Sequence, residues 1–216
     1  MFPDTILRTA PLGQHFGTRL RTAEVSFFHG GWGKIAAAAS TQYVIDHEAP
    51  DILVNLGTCG GLEGRIALGT IVLVESTVVY DVLELMGSPD RAIAHYSTVL
   101  DLDWLPQPAP SPVLRGQMLS ADRDLLAEEV SQLVARYEAV TGDWESGAIA
   151  WVSARNNVRC LILRGVSDLV SPHGGEAYGN LALFEERTNG IMERLVEILP
   201  AWLAAIEASY KPDPRH

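Results

Sequence analysis

The segment Cys160-Leu-Ile-Leu-Arg-Gly-Val166 constrains the fold more than any other in the chain. An apolar run of this kind has no polar face to offer solvent, so the strand it predicts is covered on both faces, as in parallel-rich α/β sheets. It breaks off at Ser167-Asp168, and Glu145 opens a predicted helix just before it. Such sheets collect ligands at the carboxyl ends of their strands, which positions Asp168 for chemistry more than for solvation.

The rest of the chain fits an alternation of strands and helices. Glu24 to His29 reads as a strand, and Gly30-Gly-Trp-Gly33 turns it into an Ala-rich helix from about Lys34 to His47. Ile52 to Leu56 reads as a short buried strand closed by Gly57-Thr-Cys-Gly-Gly61, and the β-branched run Thr70 to Val79 as another. From Gly87 to Pro112 there are five prolines and no period, the mark of a long excursion of the sort that lines sites and interfaces. Leu114 to Leu119 resumes as strand. Apolar Leu125, Leu126, Val130, Leu133 and Val134 predict an amphipathic helix over Asp122 to Ala135. A short strand at Tyr137 to Val140 and a helix from Trp144 to Arg155 come before the apolar strand, and Tyr178 to Ser209 reads as helix, kinked or restarted at Pro200. Met1 to Arg21 offers no clear strand. This pattern predicts one domain over residues 1–216 with an α/β sheet covered on both faces.

Composition removes several classes of function. A formal charge of −11 without any Lys/Arg cluster lacks the electrostatic footprint of a nucleic-acid binder. The two cysteines, Cys59 and Cys160, lie singly in apolar segments, and the six histidines are scattered, so neither a disulfide framework nor a metal site is expected. No apolar run approaches the ~20 residues of a membrane span, and Asp4 and Arg8 interrupt any signal-peptide core. The expectation is a cytoplasmic protein with no membrane or nucleic-acid partner. Gly31-x-Gly33-x-x-Ala36 superficially meets the dinucleotide fingerprint, but the acid about 20 residues on, Asp51, precedes the next strand instead of ending it. A Walker loop fails because Ile35 follows Lys34, and no Gly-x-Ser-x-Gly elbow occurs.

Glu145 and Asp168 each have a bland reading, as a first-turn acid favoured by the helix dipole and as a turn aspartate after a strand. Against the first, Glu145 lies one turn before Ala148, Ile149 and Val152 on the apolar stripe of its helix, where a carboxylate needs partners such as sugar hydroxyls.

Four segments in order resemble the nucleoside phosphorylase and nucleosidase superfamily, specifically its 5′-methylthioadenosine/S-adenosylhomocysteine nucleosidase branch. They are Gly30-Gly-Trp-Gly-Lys-Ile-Ala-Ala37, Asn55-Leu-Gly-Thr-Cys-Gly-Gly-Leu62, Asp143-Trp-Glu-Ser-Gly-Ala-Ile-Ala150 and Arg164-Gly-Val-Ser-Asp168. The resemblance implies a three-layer α/β/α fold with a central mixed, twisted sheet, a purine nucleoside substrate, no cofactor, a homodimer and a place in methionine salvage. It implies that Asp168 protonates the departing purine, general-acid help worth ~10²–10⁴-fold. Glu145, with Trp144 and Thr58, would hold the ribose while positive charge builds at its anomeric carbon. Trp32, Cys59, Gly60, Leu125, Ser167 and Tyr178 would complete the pocket around sugar and base. Phosphorylases of the superfamily place an arginine where this chain has Asn55, which favours water over phosphate as acceptor. The hydrolases begin with a core strand followed by a water-activating glutamate; here Met1 to Arg21 lacks both, which leaves three expectations: a start from which the family's N-terminal strand is missing, a substitute such as Asp4, or a nucleoside-binding protein without catalysis. The purine segment reads Ser120-Ala-Asp-Arg-Asp124, with Asp124 where an apolar side chain usually meets the base.

Overall fold

The computed structural model describes residues 5–209. The apolar run is the centre of β9 (Arg159–Ser171), which pairs in parallel with β4 (Ile52–Leu62) along its whole length. Short β8 (Thr141–Asp143) joins the end of β4 antiparallel, then come β7 (Leu114–Ser120), β5 (Ile71–Val79) and β6 (Thr98–Val99), with β10 (Gly174–Gly175) on the far side of β9. Because β5 also pairs antiparallel with β9, the strands β9, β4, β8, β7 and β5 close into a ring. The sheet is mixed, as the resemblance implies.

Helices cover β9 on both sides. Ser153 of α4 (Ser146–Arg155) lies against Cys160, and Arg164 donates to Ser146, so even-numbered positions of β9 face α4. A Cβ added at Gly165 would meet Ile191 of α5 (Leu181–Ser209) at 2.3 Å, so the odd positions face α5. α1 (Gly33–Glu48) packs on α4. The core that results holds Leu161, Ile162, Leu163, Leu195 and Trp202 at full or nearly full burial. At ~25 cal/mol per Å² such residues supply most of the drive to fold.

Several boundaries differ from expectation, each for a physical reason. β4 runs straight through the glycine-rich stretch. Gly57 and Gly61 are there for close approach instead of turning: added Cβ atoms would lie 2.1 Å from Arg164 Nη1 and 2.7 Å from Ile66. The proline-rich excursion contains α2 (Pro89–Tyr96), started by Ser88 as N-cap with Pro89 in its first turn, and the edge strand β6. Residues 122–126 form a turn, since Asp122 is held by the backbone of Lys34 and by Asp81, and α3 starts only at Val130 (Val130–Tyr137). The short strand expected at Tyr137 to Val140 lies instead at Thr141–Asp143, three polar or small residues that are all buried. α5 is unbroken through Pro200, starting at Leu181.

The N-terminal segment is not strand-free. β1 (Arg8–Ala10), β2 (Gly13–Leu20) and β3 (Ala23–His29) form their own antiparallel sheet. Among the described residues β3 pairs only with β2, and β4 pairs only with β9 from Ile52 to Cys59. Asp4 lies outside the described residues. No helix among the described residues is long and apolar enough to cross a membrane.

Candidate active site

The β4–β9 pairing carries the site's defining irregularity. Cys59 pairs with Val166 and Gly60 with Asp168, so Ser167 is an extra residue in β9. Such bulges re-aim side chains, and this one falls at the acid singled out in the sequence. Asp168 is therefore a buried residue inside a strand, which removes the turn-aspartate reading. The Ser167 hydroxyl donates to Asp168 Oδ1 at 2.8 Å and lies 3.3 Å from the Cys59 carbonyl. Burial pushes the Asp168 carboxyl above the ordinary aspartate range, while the Ser167 hydrogen bond and the charge of Arg187 pull it back. Arg187 comes from α5 and reaches the Ser167 carbonyl at 3.3 Å and Glu176 at 2.8 Å.

Glu145 is the N-cap residue of α4, yet its carboxylate makes no bond to its own helix. Oε1 instead accepts from the Gly33 N–H at 3.0 Å, and Oε2 lies 3.5 Å from Arg164 Nη1. The glycine turn before α1 thus serves a carboxylate and not a dinucleotide. Gly31 and Gly33 adopt φ of 86° and 79°, a region open to glycine at little cost, and this conformation presents the Gly33 N–H to Glu145. Burial raises the Glu145 carboxyl, with Arg164 opposing.

Arg164 and Asp143 lie beneath both. The Arg164 side chain is 5 % exposed; it meets Asp143 Oδ2 at 3.0 Å and donates to Ser146 Oγ at 3.0 Å and to the Thr58 carbonyl at 3.2 Å. Asp143 also accepts from Ser120 Oγ at 2.6 Å and from the Ser146 backbone and hydroxyl. A buried arginine so fully partnered ties the strand floor to the start of α4. The signal for it was present: a lone arginine inside an apolar strand has to be paired.

A further wall of the cavity is built from residues 122–126 and the segment after β9. The Tyr178 hydroxyl donates to the Leu125 carbonyl at 2.7 Å, and burial raises that phenol above its ordinary range. Leu125 packs over Gly142 and Gly60, whose Cβ atoms would lie 3.0 and 3.5 Å from its methyls.

All ten residues expected from the sequence, Trp32, Thr58, Cys59, Gly60, Leu125, Trp144, Glu145, Ser167, Asp168 and Tyr178, line one cavity of about 2180 Å³. Trp32 borders it with its indole largely exposed, at 84 %, and Cys59 is fully buried. Asn55 also lines the cavity, and its Oδ1 is buried without a hydrogen-bond partner. The cavity continues past Asn55 between β3 and β4 as far as Leu199 and Leu203 of α5, which exceeds the few hundred to 1,000 Å³ of an ordinary small-molecule site. Among the described residues no group of three or more His, Cys, Asp or Glu is arranged to hold a metal ion. Chemically, the cavity offers a protonatable acid in Asp168, a fixed carboxylate in Glu145 and aromatic side chains in its lining.

Comparison with known proteins gives a consistent result. The family model described as the phosphorylase superfamily matches residues 12–203. A 5′-methylthioadenosine/S-adenosylhomocysteine nucleosidase of Maridesulfovibrio salexigens is 28 % identical over 200 residues, covering 85 % of this chain and 86 % of the relative. One of the same name from Haemophilus influenzae is 26 % identical, covering 79 % of this chain and 77 % of its own. Among solved structures, a nucleosidase of that name from Colwellia psychrerythraea in complex with adenine superposes with a TM-score of 0.75 at 20 % identity, covering 94 % of this chain and 87 % of that one.

Proposed function

The chain belongs to the phosphorylase superfamily, and from that premise we propose that it hydrolyses the N-glycosidic bond of a 5′-modified adenosine, such as 5′-methylthioadenosine or S-adenosylhomocysteine. The observation that carries the reading is Asp168, buried at a strand bulge with its carboxyl held above the ordinary range and a hydroxyl donor at 2.8 Å. A carboxyl of that kind keeps its proton closer to neutral pH, so it can pass the proton to the purine's N7 and let the base leave neutral. Glu145, fixed by the Gly33 N–H and by Arg164, accepts the ribose hydroxyls and stabilises the oxocarbenium-like charge as the bond breaks. The Thr58 to Gly60 segment forms the floor beneath the sugar, Trp32 and Trp144 flank it, and Tyr178 with Leu125 packs against the base. Asn55 offers an amide where a phosphate would need a guanidinium, so water is the acceptor.

The protein works as a cytoplasmic homodimer in this reading. Trp32, Ile35, Leu83, Leu85, Met86 and Val99 are large apolar side chains left mostly exposed around the mouth of the site and the excursion after β5, and a second copy would cover them. Free, buried Cys59 and Cys160 fit a reducing compartment. Light scattering at micromolar concentration tests the dimer.

A second reading, a nucleoside-binding protein without turnover, is favoured by one observation: the described residues 5–22 contain no carboxylate to activate water. One experiment decides between them. Incubation with methylthioadenosine, S-adenosylhomocysteine, adenosine and inosine, with and without phosphate, is scored for free base. Release of adenine without phosphate is expected; release only with phosphate makes the protein a phosphorylase, and tight binding without release supports the second reading.

A further inference from the structure

α1 begins without a cap of its own. Its N-cap residue, Trp32, makes no side-chain bond to the helix, and the first turn carries no acid. The free N–H groups at that end need acceptors from elsewhere. Two carboxylates supply them: Glu145 takes the Gly33 N–H at 3.0 Å and Asp122 takes the Lys34 N–H at 2.6 Å. The positive end of the helix suits both. The turn that presents these groups contains Gly31 and Gly33, which cost chain entropy to fix, and its large neighbours Trp32 and Ile35 are both 84 % exposed, so neither packs it down.

The Lys34 side chain supplies the missing anchor. Its ammonium bonds Asp81 Oδ1, in a pair whose side chains are only 21 and 16 % exposed, and lies 3.9 Å from Asp122 Oδ2. Asp81 Oδ2 in turn accepts the Asp122 N–H at 3.0 Å. Lys34, Asp81 and Asp122 thus close a ring that joins the start of α1 to the segments following β5 and β7. One cation holds two carboxylates together there, and without it they face each other unneutralised. Lys34 itself does not line the cavity. We infer that Lys34 is a positioning residue for Glu145: by seating the first turn of α1 on Asp81 and Asp122, it keeps the Gly33 N–H on the carboxylate that holds the sugar. The effect on turnover rests on the proposed function, in which Glu145 binds the ribose.

Lys34→Met removes the ammonium and keeps the stem, while Lys34→Arg keeps the charge. Three quantities are measured on both and on the wild type: kcat and KM for base release from methylthioadenosine, calorimetric affinity for free adenine, and hydrogen exchange of the Gly33 amide. Lys34→Met is expected to lower kcat/KM by on the order of tenfold to a hundredfold, since a sugar-holding group displaced by about 1 Å loses that much. Exchange at Gly33 speeds up in the same variant, and Lys34→Arg restores both. Affinity for adenine, which has no sugar, stays unchanged, because residues 122–126 keep the Arg123–Glu129 pair and the bond from Tyr178 to the Leu125 carbonyl. Should Lys34→Met not fold, Asp81→Asn unseats the ammonium without altering α1 and is expected to give the same pattern. A lysine that served stability alone would weaken adenine and nucleoside together, and that result overturns the inference, as does wild-type kcat/KM with unchanged exchange. If the wild type releases no base from any nucleoside, the proposed function fails, and the Gly33 amide still decides the positioning: faster exchange in Lys34→Met restored by Lys34→Arg sustains it, and unchanged exchange overturns it.

Discussion

Replacing Gly57 by alanine isolates the role of the buried guanidinium that anchors Glu145. The backbone there is ordinary β-strand, so removing chain entropy from the unfolded state alone would stabilise the protein by about 0.4–1 kcal/mol. The new Cβ, however, would sit 2.1 Å from Arg164 Nη1 and 2.9 Å from its Cζ. The tip of an arginine usually swings away at little cost. Here it is enclosed and fixed by Asp143, Ser146 and the Thr58 carbonyl at 3.0 to 3.2 Å. Overpacking of this kind costs about 1–3 kcal/mol, and loosening a buried ion pair adds to it, since a full break costs about 3–5 kcal/mol. The clash wins over the entropy gain. We expect a net loss of about 2–4 kcal/mol, seen as a melting temperature lower by roughly 5–15 °C in a chain of this size. Glu145 loses one of its two anchors at the same time, and a displacement of about 1 Å in a substrate-holding group costs ~10²-fold in turnover. Thermal melting and adenine release on the same preparation measure both. An alanine variant with unchanged melting and unchanged turnover would refute the claim that Gly57 exists to admit Arg164.

Three further expectations follow from the same geometry. Asp168→Asn should lower base release by ~10²–10⁴-fold while melting near neutral pH holds or rises, because the substitution removes a buried group whose ionised form is disfavoured; retained turnover sinks the acid assignment. Both Asp168 and Glu145 have raised carboxyls, so the folded protein binds their protons more tightly than the unfolded chain does. Their contribution to stability is therefore most favourable below the unfolded carboxylate range and declines as pH rises through their raised folded values; turnover should lose its acid over the same upper range, which a pH–rate profile beside pH-dependent melting checks. Leu195→Ala, at a fully buried position of α5, should cost about 2–5 kcal/mol in denaturant unfolding and leave the pH–rate profile unmoved; a shifted profile would mean α5 does more than support β9.

The residues differ in how legible they were. β9 and Asp168 stand out in the sequence because burial on two faces demands an unbroken apolar run, and the break in that run marks the site. Glu145 was visible through the phase of the α4 stripe. Thr141 to Asp143 was not, because a strand of polar and small residues gives no hydrophobic signal even though all three are buried. The glycines of β4 looked like a turn, because close approach and chain reversal use the same residue. Arg164 is harder to read, because only its isolation among apolar strand residues points to a buried partner.

By itself, the sequence determined the α/β class, the two central strands and the acid at which the apolar run of β9 breaks, all of which follow from local patterns of burial along the chain. Only the tertiary structure decided that Ser167 forms a bulge against Cys59 and Gly60, that the Gly33 N–H orients Glu145, and that Asp143 and Arg164 support both. Those relations join residues up to 112 positions apart, and hydrogen-bond geometry across such separations is set by how strands and helices pack.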